Sequence, residues 1–185
     1  SKMGDKFQQA NAYDGLGIIS KEKGDYKESK KSLNKAIELS KAINDKYGIA
    51  SSHCNLAITY FESGSINEAK ETLSIGLKLF SEMNNKRGLY LGDFLMAEIF
   101  LFNNEYKSGI ERINKAILFF EEINDTIYLI KSLILLSKLN RLNDNKEEAL
   151  LNLNKAKELS SEINHTEFKT EVSIEEGICA LQIDS

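Results

Sequence analysis

The sequence contains no proline, only two cysteines and two histidines. Without proline the strongest helix breaker is missing, so long uninterrupted helices are expected. Cys54 and Cys179 are too few and too far apart in sequence for a disulfide framework, and no Cys-x-x-Cys occurs. We therefore interpret both as small buried apolar residues in a reducing compartment. Together with His53 and His165 they show no metal-ligand spacing, and no metal site is predicted.

The chain also lacks a basic surplus and a long apolar run. Its formal net charge is −4 and its sequence pI is near 5.4, whereas nucleic-acid binders carry clustered excess Lys and Arg. There is no apolar run of about eighteen residues and no signal-peptide pattern at the start. We therefore expect a cytoplasmic protein whose partners are neither nucleic acid nor membrane.

No group of residues indicates catalysis. The segment Gly15 to Ser20 imitates the start of a dinucleotide loop, but it lacks a preceding strand and the third glycine or alanine. His53 falls at a helix packing position and is interpreted as a core residue, while His165 is expected to be solvated in a loop. Neighbouring glutamates diverge around their helices rather than forming an acid and base pair. Neither an enzyme nor a bound cofactor is predicted.

What the sequence does contain is a repeat of 40 residues, seen most clearly in the asparagines Asn44, Asn84, Asn124 and Asn164. Twenty residues before each of them lies a residue that tolerates the left-handed backbone of a tight helix-to-helix turn, namely Gly24, Gly64, Asn104 and Asp144. Each repeat is therefore predicted to be two helices joined by a tight turn.

The expected organisation is a single domain of four repeats and a C-terminal capping helix. The repeats are predicted over residues 7–43, 47–83, 87–123 and 127–163, and the cap over 167–183. Gly4-Asp5-Lys6-Phe7 is in register with Asn44-Asp45-Lys46-Tyr47, so we expect the chain to open inside a loop of the repeat. We also expect it to be a fragment of a longer protein.

The repeats resemble the tetratricopeptide repeat at its packing positions. They supply Tyr13-x2-Leu16-Gly17, His53-x2-Leu56-Ala57, Asp93-x2-Met96-Ala97 and Leu133-x2-Leu136-Ser137. The second helices supply Leu33-x2-Ala36, Leu73-x2-Gly76, Ile113-x2-Ala116 and Leu153-x2-Ala156. The resemblance implies an all-α fold, a right-handed α-α superhelix, in which small residues let paired helices approach closely.

The 40-residue period resembles the tetratricopeptide subclass found in kinesin light chains, polarity scaffolds and bacterial peptide-sensing regulators. Members bind peptides or helices along a concave groove lined by the first helix of each repeat. Many carry an asparagine before the Leu-Gly/Ala pair to hold a peptide backbone. Only Asn55 matches here, since Gly15, Leu95 and Leu135 stand at the equivalent positions.

Helical spacing predicts which other first-helix residues line that groove. The candidate partner-binding set is Asn55, Ile58, Phe61, Leu91, Phe94, Glu98, Leu101, Lys131, Ile134, Lys138 and Arg141. An apolar stretch beside three cations suits a protein or peptide with an apolar anchor next to an acidic side chain or a C-terminal carboxylate. The alternative is that these residues are structural: Lys138 pairs with Glu98, and the apolar residues pack within the array.

The predicted function is therefore a protein- or peptide-binding scaffold or regulatory module. The alternative is a structural module of a larger signalling protein that self-associates, forming a homo-oligomer. That contact would use an outer face containing Phe80 and Phe120, which replace the serines Ser40 and Ser160 of the other repeats, or an unpaired end.

Overall fold

In the computed structural model, residues 2–183 are described, with side chains over residues 4–181. They form nine α-helices and no strand within that range. In chain order the helices are α1 Lys2–Glu22, α2 Tyr26–Ala42, α3 Lys46–Glu62, α4 Ile66–Glu82, α5 Lys86–Phe102, α6 Tyr106–Glu122, α7 Thr126–Leu142, α8 Lys146–Glu162 and α9 Thr166–Ile183. None of the helices among these residues is both long and apolar enough to cross a membrane.

The turns within each repeat have the backbone that the sequence predicts. Gly24, Gly64, Asn104 and Asp144 have positive φ angles of 78°, 80°, 59° and 59°. The turns between repeats also contain one residue with a left-handed backbone. The four repeated asparagines, Asn44 to Asn164, have φ between 50° and 56°. One left-handed residue thus ends each of the first eight helices, which explains why the period holds without a slip.

Side-chain caps then start several helices. The carboxylates of Asp25, Asp45 and Asp125 accept hydrogen bonds from backbone amides three residues on, and the side chain of Asn85 does the same for Gly88. Each cap satisfies an amide that has no partner inside its helix. The short segment between two helices therefore contains both a stop and a start signal.

The expectation that the chain opens in a loop is wrong. Gly4 to Phe7 lie inside α1, which begins at Lys2 and is 21 residues long where α2 to α8 have 17. Glycine adopts helical and left-handed backbones with similar ease, so its presence does not by itself require a turn. Gly4 continues α1, whereas its counterpart Asn44 has a positive φ between α2 and α3.

The chain divides into two compact units, residues 1–95 and 96–185. In unit 1, α1 packs on α2, α2 on α3 and α3 on α4. In unit 2, α6 packs on α7, α7 on α8, and α9 on both α7 and α8. Each unit has its own buried core. The expected single array over the whole chain remains a prediction.

Small residues hold the paired helices of unit 1 together. A Cβ built on Gly17 of α1 would lie 2.5 Å from Cγ of Leu33 on α2. One built on Gly76 of α4 would lie 3.0 Å from the carbonyl oxygen of Ala50 on α3. The helices approach so closely that no side chain fits at these positions.

Phe80 and Phe120 do not form an outer contact face, and that prediction is wrong. In unit 1 Phe80 is 5% exposed and packs edge-on to Tyr47, over the backbone of Gly88. In unit 2 Phe120 is fully buried and stacks on Tyr128, with ring centroids 5.2 Å apart. In each case the decisive residue lies eight positions further along the chain, on the next helix. Gly88 leaves space for the Phe80 ring, and Tyr128 stacks on the Phe120 ring, so both rings are core residues.

Candidate functional site

The first helices of unit 1 are joined by a polar contact that uses one of the predicted groove residues. Asp14 on α1 accepts hydrogen bonds from two side chains of α3, from Ser52 Oγ at 2.6 Å and from Asn55 Nδ2 at 2.9 Å. Ser52 is buried, and the other two residues are half-buried. The asparagine that the resemblance assigns to a peptide backbone thus has an internal partner.

A second contact joins the other end of these two helices. Lys21 Nζ on α1 lies 2.9 Å from Oε1 of Glu62 on α3, and this pair is partly exposed. Between the two polar contacts, α3 presents Ile58 and Phe61 half-buried. The face of α1 and α3 is therefore an apolar strip bounded by hydrogen-bonded polar groups.

The part of α5 that lies in unit 1 contributes two predicted residues with different surroundings. Leu91 is half-buried, whereas Phe94 is only 9% exposed. Leu91 therefore offers some apolar surface to a partner. Phe94 offers almost none.

In unit 2 the predicted groove residues form a charged group around Glu98. Burial raises the pKa of Glu98 to about 7, while the positive charges of Lys131 and Lys138 lower it and the negative charge of Glu171 raises it. Near neutral pH this carboxyl is therefore divided between its charged and neutral forms.

Two of the three cations are paired with the last helix. Lys138 Nζ lies 2.8 Å from Glu171 Oε1, and Arg141 Nε lies 2.6 Å from Glu175 Oε1. The second pair is almost entirely buried, with side-chain exposures of 11% and 3%. Helix α9 thus neutralises most of the basic surface that the sequence predicts.

The remaining predicted residues of unit 2 divide between surface and core. Lys131 is exposed, and its Nζ lies 5.5 Å from the centroid of the Tyr128 ring one turn earlier. Leu101 is half-buried. Ile134 is 1% exposed and packs in the core, so it has no surface to offer. Lys131 is the groove cation most accessible to a partner.

Residues outside the predicted set complete both polar groups. Ser52 in unit 1, and Glu171 and Glu175 in unit 2, are not predicted from the sequence as groove residues. The 40-residue period holds the missing signal, since Glu171 follows Lys131 by one period and Glu175 follows Leu135. If the spacing of the groove residues is continued by one period into the capping helix, it places the carboxylates Glu171 and Glu175 next to the cations of α7.

The histidines and cysteines do not assemble into a site. Burial, followed by the charge of Lys41, lowers the pKa of His53. Burial raises the pKa of Cys54 to about 12, so this thiol is protonated near neutral pH. His165 was expected to be solvated, but it is half-buried and stacks on Phe168 with ring centroids 4.2 Å apart.

One family model matches part of the chain. Residues 8–80, which span α1 to α4, match the family model of the tetratricopeptide repeat. No curated protein matches the chain. The resemblance to tetratricopeptide repeats is therefore confirmed, by sequence over these two repeats.

Solved structures extend the fold to nearly the whole chain. The apo form of RapI superposes with a TM-score of 0.87 at 17% identity, over 93% of this chain and 63% of its own. Aspartyl phosphate phosphatase F from Bacillus subtilis gives 0.88 at 12% identity, over 94% and 46%. Kinesin light chain-like repeats from Podosopora anserina give 0.77 at 14% identity, over 91% and 84%.

These likenesses confirm the predicted fold class, an all-α tetratricopeptide solenoid. At such low identity they concern the fold alone. The chain spans less than two thirds of the length of the first two structures.

Proposed function

We propose that this chain is a protein- or peptide-binding module that holds a partner segment against the faces of its first helices. The supporting observation is the group around Glu98, where an exposed Lys131 stands near a half-buried glutamate whose carboxyl has a pKa near 7. The tetratricopeptide fold, which generally serves as a protein-interaction scaffold, supports the same class of function.

The partner group we assign to unit 2 is a carboxylate, either an acidic side chain or a chain terminus. It would pair with Lys131, because Lys138 and Arg141 are already paired with α9. Glu98 competes for the same lysine while it is ionised. A carboxylate ligand should therefore bind more tightly below pH 7, where Glu98 is neutral, than above it.

The partner group we assign to unit 1 is an apolar side chain. Ile58, Phe61 and Leu91 are each half-buried, so each leaves part of its apolar surface in water. Covering that surface would supply affinity for a partner of unit 1.

The test uses a fluorescently labelled pool of random octapeptides with free C-terminal carboxylates, and fluorescence anisotropy at pH 6 and pH 8. Binding should be tighter at pH 6. Lys131→Ala should weaken it about tenfold, the loss of one charge-assisted contact. Glu98→Gln should remove the pH dependence and keep the tighter affinity at both values.

Lys115→Ala is the matched control, since Lys115 is also exposed but belongs to the second helix α6. Amidating the C-termini of the pool tests whether the terminal carboxylate is the group recognised. Equal affinities for the unchanged chain, Lys131→Ala and Lys115→Ala would overturn the assignment to Lys131. If Ile58→Ala and Phe61→Ala bind the peptide pool as tightly as the unchanged chain does, the proposed apolar contact is wrong.

A further inference from the structure

The junctions between repeats carry opposite charges in the two units. In unit 1 they are residues 41–47 and 81–87, which contain four cations and two carboxylates. In unit 2 the equivalent residues are 121–127 and 161–167, which contain five carboxylates and no lysine or arginine. All four junctions have the same turn, since each contains one left-handed asparagine. The difference between the units therefore lies in the side chains.

In unit 1 the two junctions form one surface, which we call the basic edge. The ring of Phe80 packs on Tyr47 at the start of α3, and a Cβ on Gly88 of α5 would lie 2.6 Å from the same Phe80 ring. The starts of α3 and α5 therefore lie side by side. Tyr47 is 58% exposed in this surface. The cations of the basic edge are all exposed, and they are Lys41, Lys46, Lys86 and Arg87.

The carboxylates of the same junctions do not cancel these cations. Asp45 is half-buried and accepts a hydrogen bond from the amide of Gly48, and Glu82 is exposed at the end of α4. Four cations against two carboxylates leave the basic edge with a net positive charge.

In unit 2 the two junctions also form one surface, which we call the acidic edge. Two ion pairs join α7 to α9, and their members advance in the same direction along both helices. The two helices therefore run parallel and begin on the same side of the unit. Three isoleucines are exposed there beside three exposed glutamates, and these residues are Ile123, Ile127 and Ile163 with Glu122, Glu162 and Glu167.

Several charges of both edges oppose the dipole of their own helix. The first turn of a helix favours carboxylates, and its last turn favours cations. Lys46 and Lys86 are the first residues of α3 and α5. Glu122 and Glu162 are the last residues of α6 and α8. Helix stability does not explain these charges, whereas a docked surface of opposite sign would stabilise them.

We propose that the basic edge of one copy of the chain docks on the acidic edge of a second copy. The occupant is a second copy because one sequence supplies both surfaces, with opposite charges at equivalent junctions. Lysines would pair with glutamates, and the Tyr47 ring would cover part of the exposed isoleucines. The contact joins two different surfaces, so copies associate head to tail and close where the rotation allows it.

Sedimentation velocity across a concentration series measures this association. Species larger than the monomer should increase with concentration at about 0.05 M NaCl and decline at about 0.5 M, where charges are strongly screened. A basic-edge variant, Lys46→Glu with Lys86→Glu, should associate about tenfold more weakly or worse, since both edges are then acidic. An acidic-edge variant, Glu122→Lys with Glu162→Lys, should lose as much, because both edges are then basic.

The two variants should remain folded, because each change replaces a charge that opposes its helix dipole with one that the dipole favours. Circular dichroism checks this. The matched control is Lys107→Glu with Lys115→Glu, at two exposed positions of α6 outside both edges. It changes the net charge as much as the basic-edge variant does, and it should associate like the unchanged chain.

Mixing tests whether the two edges contact each other. An equimolar mixture of the basic-edge and acidic-edge variants should recover association, since the edges of one variant are acidic and those of the other are basic. A chain that carries all four changes should also recover it, because both of its edges have exchanged sign.

A chain that stays monomeric up to its solubility limit at low salt overturns the proposal. So does association that either edge variant leaves intact, because the contact then lies elsewhere. If the control loses association as well, net charge rather than the edges explains the loss. If neither the mixture nor the fourfold variant recovers association, the two edges do not contact each other.

Discussion

Asn55 donates its side-chain amide to the carboxylate of Asp14 at 2.9 Å, across the contact between α3 and α1. In the tetratricopeptide subclass that the repeats resemble, an asparagine at this position holds the backbone of a bound peptide. Here the same carboxylate also accepts from Ser52 at 2.6 Å. The asparagine therefore joins two repeats, and a ligand backbone would have to displace an internal bond to use it.

Replacing Asp14 tests how much this contact stabilises unit 1. Asp14→Ala should lower the free energy of unfolding by about 1–3 kcal/mol, because it leaves the buried Ser52 hydroxyl and the Asn55 amide without their acceptor. Urea denaturation followed by circular dichroism measures the change. A cycle with Asn55→Ala should give a coupling of about 1 kcal/mol.

Asn11→Ala is the control, since Asn11 lies on the same helix and is exposed. It should change stability by less than about 0.5 kcal/mol. Strictly additive effects of Asp14→Ala and Asn55→Ala would mean that the hydrogen bond does not stabilise the fold.

Glu98 should make the stability of the protein depend on pH. Its pKa is raised from 4.5 to about 7 in the folded state, so between these values the folded chain binds more protons than the unfolded chain. Stability therefore falls as pH rises from about 4.5 to about 7. The shift corresponds to at most about 3 kcal/mol, which solvent screening reduces to about 1–2 kcal/mol.

Glu98→Gln should remove this contribution. The variant should be more stable than the unchanged chain at pH 8 and nearly equal to it at pH 4.5, as measured by urea denaturation at each pH. Glu111→Gln, at an exposed position on α6, should follow the unchanged chain. A Glu98→Gln variant that is less stable at pH 8 would show that the ionised carboxyl is stabilised by Lys131 and Lys138.

The helices and turns were predictable because their signals are local. A left-handed Gly, Asn or Asp and an acidic or amide cap recur at fixed spacing, and each acts within four residues of its position. The prediction of a loop at Gly4 to Phe7 is wrong because the local signal there is ambiguous. Glycine is compatible with both a helix and a left-handed turn, and Gly4 lies inside α1.

The environment of a side chain was harder to predict, because it depends on a residue in another helix. Phe80 looked like an outer residue from its own helix, yet Gly88 leaves the space that buries it. Gly88→Ala should cost about 1–3 kcal/mol, since its Cβ would lie 2.6 Å from the Phe80 ring. Urea denaturation measures this loss.

The matched control is Gly15→Ala on α1, where a Cβ would meet nothing within 4 Å. There the change should stabilise the protein by about 0.5–1 kcal/mol through higher helix propensity. Combining Gly88→Ala with Phe80→Leu should recover part of the loss. Equal effects of the two glycine variants would contradict the close approach of Phe80 to Gly88.

Only part of the candidate site was predictable, because the surroundings of its side chains also depend on another helix. Helical spacing identified Lys138 and Arg141 as neighbours on one face of α7. Their partners Glu171 and Glu175 lie on α9, which sequence reasoning treated only as a cap. A cation's position along its own helix indicates that it is accessible, but only the adjacent helix determines whether it is already neutralised.

Arg141 and Glu175 provide the sharpest test of that neutralisation. Arg141→Met should lower the free energy of unfolding by about 3–5 kcal/mol, because Glu175 is 3% exposed and would be left as a buried unpaired carboxylate. Lys157→Ala removes an exposed pair between α8 and α9 and should cost less than about 1 kcal/mol. Changing both Arg141 and Glu175 to Met should restore much of the loss, since a buried apolar pair avoids the desolvation of two charges. If the double variant is no more stable than Arg141→Met, the loss comes from the packing of the arginine stem and not from the unpaired charge.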